Sequence, residues 1–209
     1  LYLKGYEEIE LVFKDRNEMK NLKSHLIEEL LGFEIIKQSQ NKILIRDLTG
    51  FEKQNIDDIV KRIFFIIEGM LEDLISAVSS KQSLDEISSL DSSVNKLVHF
   101  SLRILNSKGY SSFEKTTQFY GIISIFEQIG DLIKQLVNDL KREKISQSQI
   151  DIIKRIRLSL KIFEKITFNF NKEEAVKFAK MYEEIKHFIK QKSRIDLTLQ
   201  QMNEAIIRM

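Results

Sequence analysis

Between residues 111 and 140, apolar side chains recur at three- and four-residue steps: Phe119, Ile122, Phe126, Ile129, Ile133, Val137 and Leu140. That is the period of a helix burying one face. The period continues on both sides, so from Asn55 onward the chain reads as helix, over 56–78, 84–106, 112–142, 147–169 and 172–192. Asn55 with Asp58 marks the first start. Ser83 with Glu86, Ser111 with Glu114 and Ser146 with Gln149 have capping-box spacing, and Asn171 with Glu174 is a weaker version. A sixth helix opens near Ile195. The competing reading is one helix from 172 to 209, because Ile185, Phe188, Lys192, Ile195, Leu199, Met202, Ile206 and Met209 keep heptad spacing, with Lys192 the one polar member. Short loops predict antiparallel neighbours.

Residues 1–50 carry a different period. Ile9, Leu11 and Phe13 alternate as in a half-buried strand. Asn17 opens a short helix carrying Met19, Leu22, Leu26, Ile27 and Leu30, which Gly32 closes. Segments 33–37 and 42–46 read as strands joined by a turn at 38–41. This small β-α-β-β unit cannot bury both faces alone, so it is expected to pack on the helices or pair with a second copy. The expected organisation is 1–52 as the α+β unit, 53–143 as a first three-helix bundle and 144–209 as a second helical bundle, C-terminally incomplete. The Leu1 start and the mid-pattern end at Ile206-Ile207-Arg208-Met209 read as a fragment.

Composition sharpens this picture. Among 209 residues there is no proline and only seven glycines, which favours long uninterrupted helices, and 43% hydrophobic residues can fill a core. The absence of cysteine excludes disulfides and thiolate metal sites. Acids and bases alternate to a net charge of +2, so direct nucleic-acid binding by this segment is not expected. No apolar run reaches a membrane-spanning length and no signal-peptide layout appears, so the expectation is a cytoplasmic protein without membrane insertion.

No catalytic constellation emerges, and enzyme activity is not expected. His25, His99 and His187 fall on separate helices, and His25 reads as a surface residue. No G-x-S-x-G turn occurs, and the glycines never cluster as a phosphate loop requires. Glu184-Ile185-Lys186-His187 is a lone E-x-x-H, whereas a di-iron centre needs two of them with two further glutamates. The aromatic stripe Phe119, Phe126, Phe163, Phe168, Phe178 and Phe188 reads as core.

The acids of the third and second long helices are more informative. Glu127 and Asp131 stand four apart at the edge of the apolar stripe, so their carboxylates stack one turn apart. Gly130 lies nearer the stripe, where a missing side chain admits a neighbouring helix. The helix before has core positions Ile87, Leu90, Val94, Leu97, Val98, Ser101 and Leu105, with Asp91, Asn95 and His99 on its rim. Antiparallel packing through Lys108-Gly109-Tyr110 brings the rims together. Asp91 then faces Glu127 and Asp131, with Asn95 or His99 completing a mainly oxygen shell. Carboxylates held that near repel one another, and a divalent cation such as iron, zinc, manganese or magnesium relieves the repulsion. The alternative is a polar rim facing water, with Lys134 screening the acids.

Glu127-Gln128-Ile129-Gly130-Asp131, followed by apolar residues, resembles the acidic E-x-x-x-D helix signature of the PhoU family of phosphate-uptake regulators. The stretch from Asn55 to Asp73 resembles the first long helix of archaeal members, and the likeness runs in order along nearly the whole chain. It implies a mainly α fold of PhoU-like tandem three-helix bundles, the second incomplete, behind the β-α-β-β unit. It also implies a role in phosphate homeostasis through contacts with the phosphate transporter or with transcription regulation machinery. In archaeal members such a unit follows an AbrB-type DNA-binding domain, and none is visible here. The family pattern has acids at positions 91 and 95, so this chain departs at Asn95, a poorer ligand than a carboxylate. By the same likeness, the acid pair of the sixth helix falls beyond Met209. The reading from another class is a helical adaptor without metal that oligomerises through amphipathic helices. A homodimer is expected either way, from an open strand edge and the apolar seam Ile195, Leu199, Met202 and Ile206, for which no partner is assigned within the chain.

Overall fold

The computed structural model describes residues 1–50, 53–80, 83–190 and 192–209, without the side chains of 24–28 and 88. His25, Leu26 and Ile27 therefore lie outside the described side chains. A 3-10 turn at Tyr2–Lys4 leads into β1 (Glu8–Val12), α1 (Arg16–Glu29), β2 (Phe33–Gln38) and β3 (Lys42–Asp47). The helices α2 (Ile56–Ser80), α3 (Asp85–Lys108), α4 (Phe113–Leu140), α5 (Gln147–Phe168), α6 (Lys172–Phe188) and α7 (Arg194–Ile207) follow. The protein is mainly helical with one small antiparallel sheet.

The sheet has order β1-β3-β2, so the last strand in sequence lies between the other two. Ile9 pairs with Ile45 and Leu11 with Ile43, which gathers one apolar row on one face of the sheet, with Ile9, Ile43 and Ile45 buried. The opposite row carries Glu8 with Arg46 and Glu10 with Lys42 as cross-strand ion pairs. An irregularity between Ile35 and Lys37 breaks the outer strand β2. At the start of α1 the capping acceptor is Asp15, whose Oδ1 takes the amides of Asn17 and Glu18 at 2.8 and 2.9 Å, so the helix opens before Asn17. Gly32, at φ 89°, makes the left-handed turn into β2.

The helical part packs α3 on both α2 and α4, then α5 on α2 and α7 on α4. Glu68 of α2 faces Arg157 and Lys161 of α5, and Lys61 faces Phe168, so these two helices run antiparallel. Phe64 and Phe126 meet edge-to-face at 4.7 Å in the middle of the core. Phe119, Phe163, Phe168 and Phe178 adjoin them, but Phe188 does not: it is 52% exposed, with the Arg155 guanidinium 5.0 Å above its ring.

Several expectations are corrected. The competing single helix over 172–209 is excluded, and the sixth helix expected near Ile195 is present: Ile189 turns extended after Phe188, and Ser193 caps α7 by accepting from the Asp196 amide. Asp196 accepts in turn from the Lys192 amide at 2.9 Å and from Gln149 Nε2 at 2.7 Å. Those bonds pin the start of α7 to the start of α5. The heptad spacing continues across the break only by coincidence of register. Ile195, Leu199, Met202 and Ile206 are at most 1% exposed, covered by this chain's own helices, so the seam needs no second copy. Among the caps, Ser146 forms the full box with Gln149 and Asn171 caps α6. Ser112, not Ser111, caps α4, and α3 begins behind Leu84 with no side-chain cap.

Candidate functional site

The α3–α4 seam is set by its turn. Gly109 takes φ 69° after Lys108, and its amide returns to the Leu105 carbonyl at 2.9 Å. Tyr110 N donates to Thr116 Oγ1 at 2.8 Å, and Ser112 caps the next helix. With only four residues between them, the helices run antiparallel, and Asp85 meets Lys141 while Asp91 meets Lys134. The apolar residues named for the middle of this seam are buried, including Val94, Val98, Phe126, Ile129 and Ile133.

Asp91 does not lie on a wet rim. It is 4% exposed, because its carboxylate occupies the space that Gly130 leaves open. A Cβ on Gly130 would stand 2.8 Å from Asp91 Oδ1 and 3.7 Å from Val94 Cγ1. Asp91 Oδ2 accepts from Lys134 Nζ at 3.2 Å, and the lysine is half exposed. Its stem reaches along the helix while its head stays near water. Among the described residues, Asp91 Oδ1 is buried without a hydrogen-bond donor, and so is Asn95 Oδ1 one turn along. Two acceptors without donors in one seam are costly, since a buried polar atom normally finds a partner.

The other predicted ligands are less enclosed. Glu127 and His99 are half-buried, Asn95 likewise, and Asp131 is exposed. Among the described residues, no group of three or more His, Asp or Glu side chains stands where it could hold a metal ion. The seam therefore joins Asp91 to Gly130 and Lys134, while Glu127 and Asp131 remain on its outer side.

A second polar centre lies where α3 meets the sheet unit, and the sequence reading passed over it. Arg103 is wholly buried. Its Nη1 donates to the carbonyls of Tyr2 and Tyr6 at 3.0 and 2.8 Å, and its Nη2 to Asp47 Oδ2 at 3.0 Å. The guanidinium also lies 4.9 and 4.7 Å from the Tyr2 and Phe33 ring centres. The available signal was its place four residues after His99, continuing the line Asp91, Asn95, His99.

Between α2 and α5, Arg157 forks between Glu68 and Glu72, both at 2.8 Å, and Lys161 reaches Glu68 at 2.7 Å. Burial pushes the Glu68 carboxyl up, but hydrogen bonds from Lys161 and Arg157 outweigh it and hold it below its ordinary range. Glu164 nearby moves the other way: burial first, then the Glu68 charge, push it up. A cleft of about 480 Å³ is lined by Lys61, Glu164, Lys165, Phe168 and Glu174 among others.

Compared with protein-family models, curated proteins and solved structures, the chain matches none. No described helix is long and apolar enough to cross a membrane.

Proposed function

We propose that the chain is a PhoU-like regulator of phosphate uptake that works in the cytoplasm through protein–protein contacts and is not an enzyme. The observation that carries this reading is the order of packing. Three helices, α2–α4, are followed by three more, α5–α7, laid against them through α2 with α5 and α4 with α7. The E-x-x-x-D signature on α4 borders the seam with α3. Deleting the gene in its host and measuring phosphate uptake under phosphate-replete conditions tests it. Altered uptake, restored by the intact gene, supports the reading, and unchanged uptake contradicts it.

The same reading includes a homodimer paired through β1 or β2, the outer strands of the sheet. Light scattering above the 24.6 kDa of a single chain supports that pairing, and a monomer at micromolar concentration removes it. The adaptor reading is favoured instead if the protein self-associates while phosphate uptake is unaffected.

A further inference from the structure

We infer that the Lys134 ammonium is the resident cation of the α3–α4 seam, filling by its own charge the role that a divalent ion would otherwise serve. The inference stands on the seam's geometry and not on the functional reading, so either can fail alone.

Asp91 is the one carboxylate of the predicted ligand set that is buried, and Lys134 Nζ lies 3.2 Å from its Oδ2. A buried carboxylate needs a compensating charge, and one ammonium supplies one. Position 95 holds a neutral amide, so the enclosed part of the seam carries a single negative charge. Half-buried Glu127 and exposed Asp131 can be hydrated without a metal.

Geometry fixes the pairing. Gly130 and Lys134 are four apart on α4 and so share a face. The glycine lets the Asp91 carboxylate lie against the α4 backbone, and the lysine one turn further on closes over it. A side chain at 130 would expel the carboxylate, and a neutral residue at 134 would leave it uncompensated. Asn95→Asp would set a second carboxylate one turn from Asp91 on the same helix.

The test is therefore a gain of metal response. Thermal unfolding of the full chain is compared in MnCl₂ and in EDTA for the native protein, for Lys134→Met and for Asn95→Asp/Lys134→Met. The native midpoint is expected to be the same in both buffers. The double variant is expected to bind Mn²⁺ at least about tenfold more tightly than the native chain, a difference of about 1.4 kcal/mol. Lys134→Arg, which keeps the charge, stays indifferent. Stabilisation of the native chain by Mn²⁺ that disappears in Asp91→Asn overturns the inference, as does a double variant no more responsive than the native chain. If the double variant does not fold, calorimetric titration of the native chain with Mn²⁺ decides: no binding heat upholds the lysine, and heat abolished by Asp91→Asn rejects it.

Discussion

Arg103 Nη2 donates to Asp47 Oδ2 across 3.0 Å, with side chains 0% and 3% exposed, and this pair fastens the sheet unit to α3. The small sheet cannot stand alone. It is seated by one buried cation that also gathers the carbonyls of Tyr2 and Tyr6. Removing one partner of such a pair leaves an uncompensated buried charge and costs about 3–5 kcal/mol. Arg103→Met and Asp47→Ala are each expected to lose stability on that scale. The double variant should lose less than their sum, read as denaturant midpoints in a double-mutant cycle.

Two glycines on neighbouring helices should respond oppositely to alanine. Gly130 faces Asp91 Oδ1 at 2.8 Å from an added Cβ, so Gly130→Ala must displace the carboxylate or part the helices. It is expected to destabilise by about 1–3 kcal/mol despite the better helix propensity. Gly69 on α2 has nothing within 4 Å of an added Cβ, and Gly69→Ala should stabilise by up to about 1 kcal/mol. Thermal melts of the two variants check the contrast.

Cap positions are separable by serine scanning. Ser112→Ala and Ser146→Ala each remove a side-chain cap, with an expected loss of about 1 kcal/mol. Ser111→Ala removes none and should stay within about 0.5 kcal/mol of the native chain, whereas Ser83→Ala, which loses the 3.3 Å bond from the Asp85 amide, should fall between. Chemical denaturation distinguishes them.

Alkaline stability should turn on two phenols, Tyr2 and Tyr110. Burial, then the hydrogen bond to Asp57 and its charge, push the phenol up from 10.0 to about 12. Tyr2 is pushed up as well, chiefly by burial. A phenol whose folded value is raised contributes stability that is complete below the unfolded value and is lost as pH rises through the folded one. Stability should therefore decline between about pH 10 and pH 12. In Tyr110→Phe the decline should be shallower, with a lower plateau at neutral pH because the 2.7 Å bond to Asp57 is gone. Unfolding midpoints across that range measure both effects.

Helical periodicity made most of this architecture legible, since every long helix has an apolar face that ends up buried. The short unit was legible too, because alternation and the glycine at 32 mark strand and turn. What escaped were properties of pairs. On a wheel, Asp91 sits at a stripe edge and looks wet. Its burial depends on a glycine 39 positions later, on a helix whose register the wheel does not contain. Arg103 looks like another polar-face residue until the first residues of the chain fold over it. The break before α7 has no proline or glycine, so heptad spacing kept one helix over 172–209 as a competing reading beside the sixth helix near Ile195, although Ser193 with Asp196 was a readable cap. The terminal seam looked partnerless because α4 and α5 precede it by many residues.

The α3–α4 seam is tested most directly by its metal content. Protein purified without chelator is assayed for iron, zinc, manganese and magnesium beside the Glu127→Ala/Asp131→Ala variant. Negligible and equal metal in both is expected if Lys134 balances Asp91. About one equivalent of metal per chain in the native protein, lost from the variant, would contradict it.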